Sequence, residues 1–223
     1  MKTLIVGYGE VGQALHKVLQ TNYQVFYLDK DDPLAEEYKD LKPEIMHITF
    51  GYSPNFIQYV KEYQEKYKPK YTIIHSTVPV GTTRKVNGIH SPIRGLHPNL
   101  ESGIHAFPKF IGGEAASEVA DYFRRCDIKV VLFDKPETTE AMKLWDTTYY
   151  GVCIDFAKRV KEYCDKHNLN FHEVYTLANQ TYNEGYQALG HPEFTRPVLQ
   201  PIMTTKIGGH CVNENRELLK ESE

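Results

Sequence analysis

Three glycines near the start of the chain have the spacing of a turn that can hold a phosphate. Gly7, Gly9 and Gly12 follow an apolar run and open a helical pattern, as a G-x-G-x-x-G fingerprint requires. The first glycine allows a tight turn, the second lets the backbone approach a pyrophosphate, and the third lets the helix pack closely on the strand. The helix amino terminus adds unpaired N–H groups and a partial positive charge. The predicted dinucleotide contacts are Gly7, Tyr8, Gly9, Glu10, Val11 and Gly12.

An acidic residue follows at the end of the second strand-like run. Asp29 stands where such folds place the carboxylate that accepts hydrogen bonds from the adenosine ribose. A 2′-phosphate would meet that negative charge, so the sequence predicts NAD rather than NADP, although Lys30 beside it weakens the preference. The alternative is a glycine-rich turn that holds no ligand. The order of strand, turn, helix and Asp29 favours the cofactor site.

Strand-like and helical runs alternate around this turn. Short apolar runs predict strands at 3–7, 24–28, 45–50, 71–75, 109–111 and 129–133, and helical spacing predicts helices at 10–19, 56–67 and 114–125. Such alternation produces a parallel sheet that is covered on both faces. Residues 1–135 are therefore expected to form a doubly wound Rossmann domain that binds NAD, with about six or seven strands.

The predicted strands stop at Pro136, where a long helical pattern begins. Apolar residues recur every three or four positions over 138–167, which predicts one long central helix. Packing within the chain is the simpler interpretation of this stripe. A homodimer interface is the alternative, because so long a helix exceeds the needs of a small domain. Shorter helices at about 170–189 and 213–221 would complete a smaller all-helical domain over 136–223. The stripe consists of Ala141, Leu144, Trp145, Thr148, Val152, Phe156, Val160 and Tyr163.

The composition excludes several classes of function. The 223 residues carry a net charge of −3 with ten neutral histidines, and basic residues do not cluster, which argues against a nucleic-acid partner. No apolar run reaches the roughly 18 residues that span a bilayer, and the first residues do not read as a signal peptide. The four cysteines include no C-x-x-C pair, so no metal site is expected. These features predict a cytoplasmic protein with free thiols.

Three further segments give the chain a resemblance to a known family. Residues 76–83 read STVPVGTT, residues 140–144 read EAMKL, and residues 208–211 read GGHC. With the glycine turn, their order and spacing resemble the UDP-glucose/GDP-mannose dehydrogenase family over most of the chain. In that family the STVP loop lies beside the cofactor, so the resemblance implies cofactor contacts at Ser76 and Thr77.

The resemblance also implies a reaction. The family oxidises the C6 alcohol of a nucleotide sugar to an acid with two NAD⁺, through a cysteine thiohemiacetal and a thioester. Cys211 would supply the thiolate, whose pKa must be lowered by nearby positive charge or dipoles. Lys143 would stabilise developing oxyanion charge. The alternatives are an inert thiol and a solvated helix lysine. Cys126, Cys153 and Cys164 lie in helical runs and are expected to be structural.

Four departures from the family pattern fall on the chemistry and the substrate site. The family continues into a third, UDP-binding domain, whereas this sequence ends at Glu223, so a short member lacking that domain is expected. Ile93 follows Ser-Pro where the family has a glutamate. Thr147 replaces an asparagine four residues after the lysine, and Asn215 replaces an aspartate four residues after the cysteine. The predicted catalytic set is Cys211, Lys143, Thr147 and Asn215.

Three functions remain open at this point. The first is an NAD-dependent dehydrogenase that acts on the CH–OH group of a small molecule such as a nucleotide sugar, as a homodimer joined through helix 138–167. The second is a non-catalytic NAD-binding relic or partner subunit, which the departures would explain. The third is a prephenate or hydroxy-acid type of dehydrogenase, because His97-Pro98 resembles a segment of that family. The third function requires His97 to lie beside the nicotinamide.

Overall fold

The computed structural model describes residues 1–30, 34–95, 97–200 and 209–222, with backbone alone for 35 and 209–213. The chain divides into two compact units. The first contains Met1–Lys143 together with Glu221 and Ser222, and the second is Leu144–Lys220. The division falls inside a helix, whereas the sequence pattern places a domain boundary near residue 135. No helix of the described ranges combines the length and the apolar character needed to cross a membrane.

A seven-stranded sheet forms the centre of the first unit. Its strand order is β2-β1-β3-β4-β5-β6-β7, and all neighbours run parallel except the β5–β6 pair. This arrangement confirms the predicted Rossmann-type class, with one antiparallel pair as a correction to a purely parallel sheet. The strands are β1 (Lys2–Val6), β2 (Gln24–Leu28), β3 (Ile45–Ile48), β4 (Tyr71–Ile74), β5 (Ile89–His90), β6 (Lys109–Gly112) and β7 (Val130–Phe133).

Helices cover both faces of the sheet, as the alternating pattern predicts. Leu4 and Ile5 are fully buried on opposite faces of β1, because successive strand residues point to opposite sides. Ile5 belongs to the core with α1, α4 and α5, and Leu4 to the core with α3. The helices of this unit are α1 (Glu10–Leu19), α2 (Leu34–Glu37), α3 (Phe56–Tyr67), α4 (Leu100–Ala106) and α5 (Ala116–Arg124), with a 3-10 turn at Thr83–Val86.

Strand β5, helix α4 and the four-residue helix α2 have no counterpart in the predicted pattern. Strand β5 has two residues, which is too short for any periodicity to show. Helix α4 contains Gly103, a residue that weakens a helical pattern. A Cβ there would lie 2.6 Å from the Cα of Gly95, so the glycine serves a close approach of two backbone segments.

The helices of the second unit follow the predicted sequence of elements. The long helix α6 (Pro136–Lys166) extends into it from the first unit, and α7 (Ala178–Ala188) follows the π-helical turn His172–Leu177. A 3-10 turn covers Pro192–Phe194, and α8 spans Gly209–Lys220. Helix α8 begins earlier than the predicted 213, because helical backbone extends into a segment without apolar periodicity. Arg216 in α8 forms an ion pair with Asp155 in α6 at 2.8 Å.

The apolar stripe of α6 is only partly buried within this chain. Leu144 is fully buried, but Trp145, Val152, Phe156 and Tyr163 are each more than half exposed. The packing interpretation is therefore wrong for these four side chains. The buried face of the second unit's part of α6 is instead formed by Leu144, Ile154, Ala157 and Cys164.

A glycine-to-alanine pair tests the packing of α1 on β1. A Cβ on Gly12 would lie 2.1 Å from the Gly7 carbonyl oxygen, whereas a Cβ on Gly9 would meet nothing within 4 Å. Gly12→Ala should lower the free energy of unfolding by about 1–3 kcal/mol, measured by urea denaturation followed by circular dichroism. Gly9→Ala is the control and should change it by about 0.5 kcal/mol or less. Equal stability of the two variants would contradict this account.

Candidate functional site

The sequence-predicted cofactor residues lie at the carboxyl ends of neighbouring strands. The chain passes from β1 to β2 on one side and then to β3 on the other, so the strand order reverses at β1. Ligands of open α/β sheets bind in the crevice outside the carboxyl ends at such a point. Gly7 directly follows β1, Asp29 directly follows β2, and Ser76 follows β4.

The glycine turn has a tightly fixed backbone with one open position. Gly7 has a φ of +96°, and a Cβ there would lie 2.6 Å from the Phe50 nitrogen. The Thr49 hydroxyl group lies 3.0 Å from the carbonyl oxygen of Val6 and 2.5 Å from that of Gly7, which ties the turn to β3. Gly9 is exposed and has open space where a side chain would be. The turn therefore combines a rigid frame with room for a phosphate above Gly9.

The side chains of the turn point to other partners within the first unit. The Tyr8 ring stacks on Tyr27 at 3.8 Å between centroids, and its hydroxyl group hydrogen-bonds with His16 Nδ1 at 2.6 Å. Burial and the neighbouring Tyr27 raise the pKa of Tyr8, so its phenol stays neutral. The Glu10 carboxylate hydrogen-bonds with His97 Nδ1 at an exposed position. Direct ligand contacts by Tyr8, Glu10 and Val11 stay predictions.

Asp29 is exposed at the end of β2. One carboxylate oxygen accepts a hydrogen bond from the Lys30 backbone N–H at 2.8 Å. This contact orients the carboxylate at the sheet edge, where a ribose hydroxyl could reach it. Lys30 thus contacts the Asp29 carboxylate through its backbone N–H group.

The STVP loop is fixed by hydrogen bonds to the backbone. The Ser76 hydroxyl group donates to the Phe50 carbonyl oxygen at 2.6 Å. The carboxylate of Glu140, fully buried in α6, accepts hydrogen bonds from the N–H groups of Gly81 at 2.6 Å and Thr83 at 2.7 Å. Burial raises the pKa of Glu140, and these hydrogen bonds oppose the rise. Glu140 therefore anchors the loop that carries Thr77, a role that the motif alone does not reveal.

Lys143 lies one turn beyond Glu140 on the same helix. Its half-buried ammonium group donates a hydrogen bond to the Ile93 carbonyl oxygen at 3.0 Å. The structure therefore brings the predicted lysine to the position where the resembled family has a glutamate. The partner at that position is a backbone oxygen, which can orient the ammonium group without neutralising it.

The other predicted catalytic residues belong to the second unit. Thr147 is half-buried in α6. Asn215 in α8 is 4% exposed, and its Nδ2 has no hydrogen-bond partner among the described atoms. The backbone of Cys211 lies in α8, but its side chain lies outside the described residues. Of the other cysteines, Cys126 and Cys164 are buried and Cys153 is half-buried.

A buried chain of polar side chains crosses the sheet of the first unit beneath this edge. The Thr3 hydroxyl group lies 3.0 Å from the Tyr122 hydroxyl group, which lies 3.0 Å from His47 Nε2. His47 Nδ1 lies 2.8 Å from His75 Nε2, and His75 Nδ1 lies 2.6 Å from the Ser91 carbonyl oxygen. Sequence reasoning missed this chain. Its signal would have been the histidines inside otherwise apolar strand runs.

The acceptor at the end of this chain determines its tautomers. The Ser91 carbonyl oxygen can only accept, so a neutral His75 carries its proton on Nδ1 and leaves Nε2 bare. His47 must then donate from Nδ1 and accept at Nε2 from the Tyr122 hydroxyl group. Tyr122 in turn accepts from Thr3. All donors in this row of hydrogen bonds therefore point the same way, from Thr3 towards the Ser91 carbonyl oxygen.

The buried histidines of the first unit are held uncharged. Burial and the charge of Lys109 lower the pKa of His47 to about 3, and burial lowers that of His90 to about 3. The pKa of His75 is also lowered well below its usual value, chiefly by burial. Burial and the charge of Arg94 lower the pKa of Lys109 to about 7. The fold therefore keeps the imidazoles neutral at physiological pH.

These pKa values predict loss of stability in acid. The unfolded chain binds protons at histidines with a pKa near 6.5, whereas His47 and His90 in the fold bind them near 3. The free energy of unfolding should fall as the pH drops from about 6.5 to about 3, by on the order of 1 kcal/mol per pH unit for each histidine. Urea denaturation across this range measures the slope.

A matched pair of variants identifies the source of that slope. His90→Gln removes one buried imidazole and keeps a donor for the Ser76 carbonyl oxygen, which lies 3.2 Å from His90 Nε2. It should reduce the acid slope, whereas His105→Gln, at an exposed position, should leave it unchanged. An identical slope in wild type and His90→Gln would contradict the assignment.

Comparison with known proteins places these features in context. None of the protein families searched matches the chain. It is 28% identical over 227 residues to a UDP-N-acetyl-D-mannosamine dehydrogenase of Methanocaldococcus jannaschii, which covers 96% of this chain and 48% of that protein. A protein of the same name from Methanococcus vannielii is 27% identical over 155 residues, with 63% of this chain and 32% of the relative covered. The chain thus spans about half the length of the first relative (48%), and its match to the second covers 32% of that protein.

A solved structure shares the fold. The structure of a UDP-D-ManNAc dehydrogenase from Pyrococcus horikoshii matches with a TM-score of 0.80 at 19% identity, covering 99% of this chain and 64% of that one. The sequence comparison leads to the same group of proteins as the glycine turn and the three other motifs, and the solved structure adds the shared fold. The chain is thus similar in sequence to nucleotide-sugar dehydrogenases, the group that its sequence motifs resemble.

Proposed function

We propose that the chain is an NAD-dependent oxidoreductase that acts on an alcohol carbon of a nucleotide-sugar-like small molecule. The observation that carries the proposal is the glycine turn at the reversal of strand order. Gly7 and Gly12 leave no room for a Cβ there, whereas Gly9 faces open space. A turn of this shape at a helix amino terminus is suited to the pyrophosphate of a dinucleotide.

Residues around the turn would hold the rest of the cofactor. Asp29, oriented by the Lys30 N–H, would accept hydrogen bonds from the ribose hydroxyls and disfavour a 2′-phosphate. Ser76 and Thr77, on the loop anchored by Glu140, would border the nicotinamide side. NAD, when bound, supplies the hydride acceptor.

Two side chains would carry the chemistry on the substrate. Lys143, oriented by the Ile93 carbonyl oxygen, would stabilise negative charge on the substrate oxygen as its proton leaves. Cys211 would add as a thiolate to the aldehyde carbon, which forms a C–S bond and turns the carbonyl oxygen into an oxyanion. Thr147 and Asn215 would help to position the reacting groups through hydrogen bonds from their side chains.

The exposed face of α6 supports a homodimer as part of the proposal. Trp145, Val152, Phe156 and Tyr163 expose large apolar surface on the second unit's part of the helix. Apolar patches of this kind mark interaction sites in soluble proteins. The assignment of residues 1–135 to cofactor binding and of residues 136–223 to dimerisation and the catalytic loop belongs to the same proposal.

A non-catalytic NAD-binding protein is the second candidate. Ile93 presents an apolar side chain, 7% exposed, where the resembled family has a glutamate. Thr147 and Asn215 likewise lack the groups that the family has at their positions. These substitutions leave the glycine turn intact, so this candidate shares the cofactor site and lacks the chemistry.

Cofactor binding can be tested separately from activity. We expect NAD to bind more tightly than NADP, and Asp29→Ser to reduce that preference. Gly9→Val should weaken NAD binding by about tenfold or more, because the side chain would occupy the phosphate position and displace charged hydrogen bonds. Titration calorimetry measures each Kd. Gly185→Ala, at an open position of the second unit, is the control, and equal binding by Gly9→Val and wild type would contradict the site.

Activity distinguishes the two candidates. With NAD⁺ and a panel of UDP- and GDP-sugars that includes UDP-N-acetyl-D-mannosamine, we expect NADH absorbance to appear. Cys211→Ser should abolish acid formation, and Lys143→Met should lower the rate by about 100-fold or more. Cys153→Ser is the matched control and should retain the rate. NAD binding without NADH formation on any of these sugars would favour the non-catalytic candidate.

A further inference from the structure

A short segment of the first unit is contacted by two different lysines. The Ser91 carbonyl oxygen accepts a hydrogen bond from His75 Nδ1 at 2.6 Å and from Lys109 Nζ at 3.1 Å. Two residues later, the Ile93 carbonyl oxygen accepts one from Lys143 Nζ at 3.0 Å. Pro92 lies between them and restricts the backbone. A displacement of Ser91 would therefore move the oxygen that orients Lys143.

Lys109 is the member of this arrangement with an unusual environment. It is 5% exposed on β6, and its Nζ lies 5.3 Å from the centre of the Phe123 ring on α5. No acidic side chain of the described residues forms an ion pair with it. The ionisable groups that contact it or interact with it electrostatically are His47, His75, His90 and Arg94.

Because these neighbours are bases or a cation, a proton on Lys109 gains no opposite charge. Burial and Arg94 lower the pKa of Lys109 to about 7, so the amine changes its charge near neutral pH. The uncharged amine fits its site with one donated hydrogen bond to Ser91. The ammonium form is a buried charge, and it donates a shorter and stronger hydrogen bond to the same carbonyl oxygen than the neutral amine does.

We propose that Lys109 is a positioning residue: through the Ser91 carbonyl oxygen it fixes the 91–93 segment, and with it the ammonium group of Lys143. The catalytic meaning of this coupling rests on the proposed function, in which Lys143 acts on the substrate. The coupling between the two lysines is itself a property of the fold. Protonation of Lys109 strengthens its hydrogen bond to the Ser91 carbonyl oxygen, which shifts the 91–93 segment and changes the surroundings of Lys143. The environment of Lys143 should therefore depend on a titration that is not its own.

Competitive amine labelling of the whole chain tests this coupling. Acetic anhydride is applied from about pH 6 to about pH 9, and the modification of the Lys143 peptide is quantified by mass spectrometry against a reference amine. In wild type we expect a severalfold step in Lys143 labelling near pH 7, on top of the gradual rise that any lysine shows. In Lys109→Met this step should vanish. Lys129→Met, at an exposed position before β7, should retain it.

A second variant shifts the step rather than removing it. Arg94 lies 4.0 Å from the centre of the Phe110 ring, and its positive charge lowers the pKa of Lys109. Arg94→Gln removes that charge, so the step should move to higher pH. The absence of a step in wild type, its persistence in Lys109→Met, or an unmoved step in Arg94→Gln would each overturn the proposal.

The outcome is independent of the proposed function. A step that behaves as expected in a chain that forms no NADH with any sugar would support the coupling and count against the dehydrogenase. NADH formation without a step would support the dehydrogenase and overturn the coupling. Lys109→Met should also unfold no more readily than wild type at pH 7, because it replaces a partly charged buried amine with an apolar side chain.

Discussion

Helix α1 begins so close to the end of strand β1 that no side chain fits between them. A Cβ on Gly12 would lie only 2.1 Å from the Gly7 carbonyl oxygen, and a Cβ on Gly7 would lie 2.6 Å from the Phe50 backbone nitrogen. The start of the helix is therefore held by backbone contacts, with the Thr49 hydroxyl group as the added clamp. Everything proposed for the cofactor depends on this contact, because it presents the amino terminus of α1 at the carboxyl edge of the sheet.

The loops at this edge follow the same principle of anchoring through the backbone. Glu140 accepts two backbone N–H groups of the loop after β4, and Ser91 receives donors from His75 and Lys109 through its carbonyl oxygen. A side chain that binds a backbone group fixes the course of the chain without depending on the neighbouring side chains. The side chain of Thr77, on the loop after β4, can then differ while the loop keeps its shape.

The sequence predicts those parts of the fold that local patterns determine. The bounds of α1, β2 and α3 agree with the predicted ranges, because each has a clear apolar period and a turn residue at its ends. The buried chain from Thr3 to Ser91 could not be predicted, since it requires the order in which β1, β3, β4 and β5 lie side by side. Strand order is a long-range property that periodicity does not contain.

The candidate site divides in the same way. The glycine turn and Asp29 were predictable from a contiguous motif. The partner of Lys143 was not, because the Ile93 carbonyl oxygen is a backbone atom that any residue type would offer. The anchoring role of Glu140 was likewise hidden, since a glutamate in the second turn of a helix usually faces solvent. The exposed stripe of α6 shows the converse limit, because periodicity identifies an apolar face without identifying what covers it.

The single tryptophan has a consequence for how the molecule can be observed. Trp145 lies in the second unit with 55% of its surface exposed, while the first unit absorbs near-ultraviolet light through tyrosine and phenylalanine only. Indole fluorescence therefore reports on the second unit alone, because the first unit contains no tryptophan. A fluorescence melt of one sample would follow the second unit, whereas a far-ultraviolet dichroism melt would follow the backbone of both units. Any separation between the two curves would measure how independently the two units unfold.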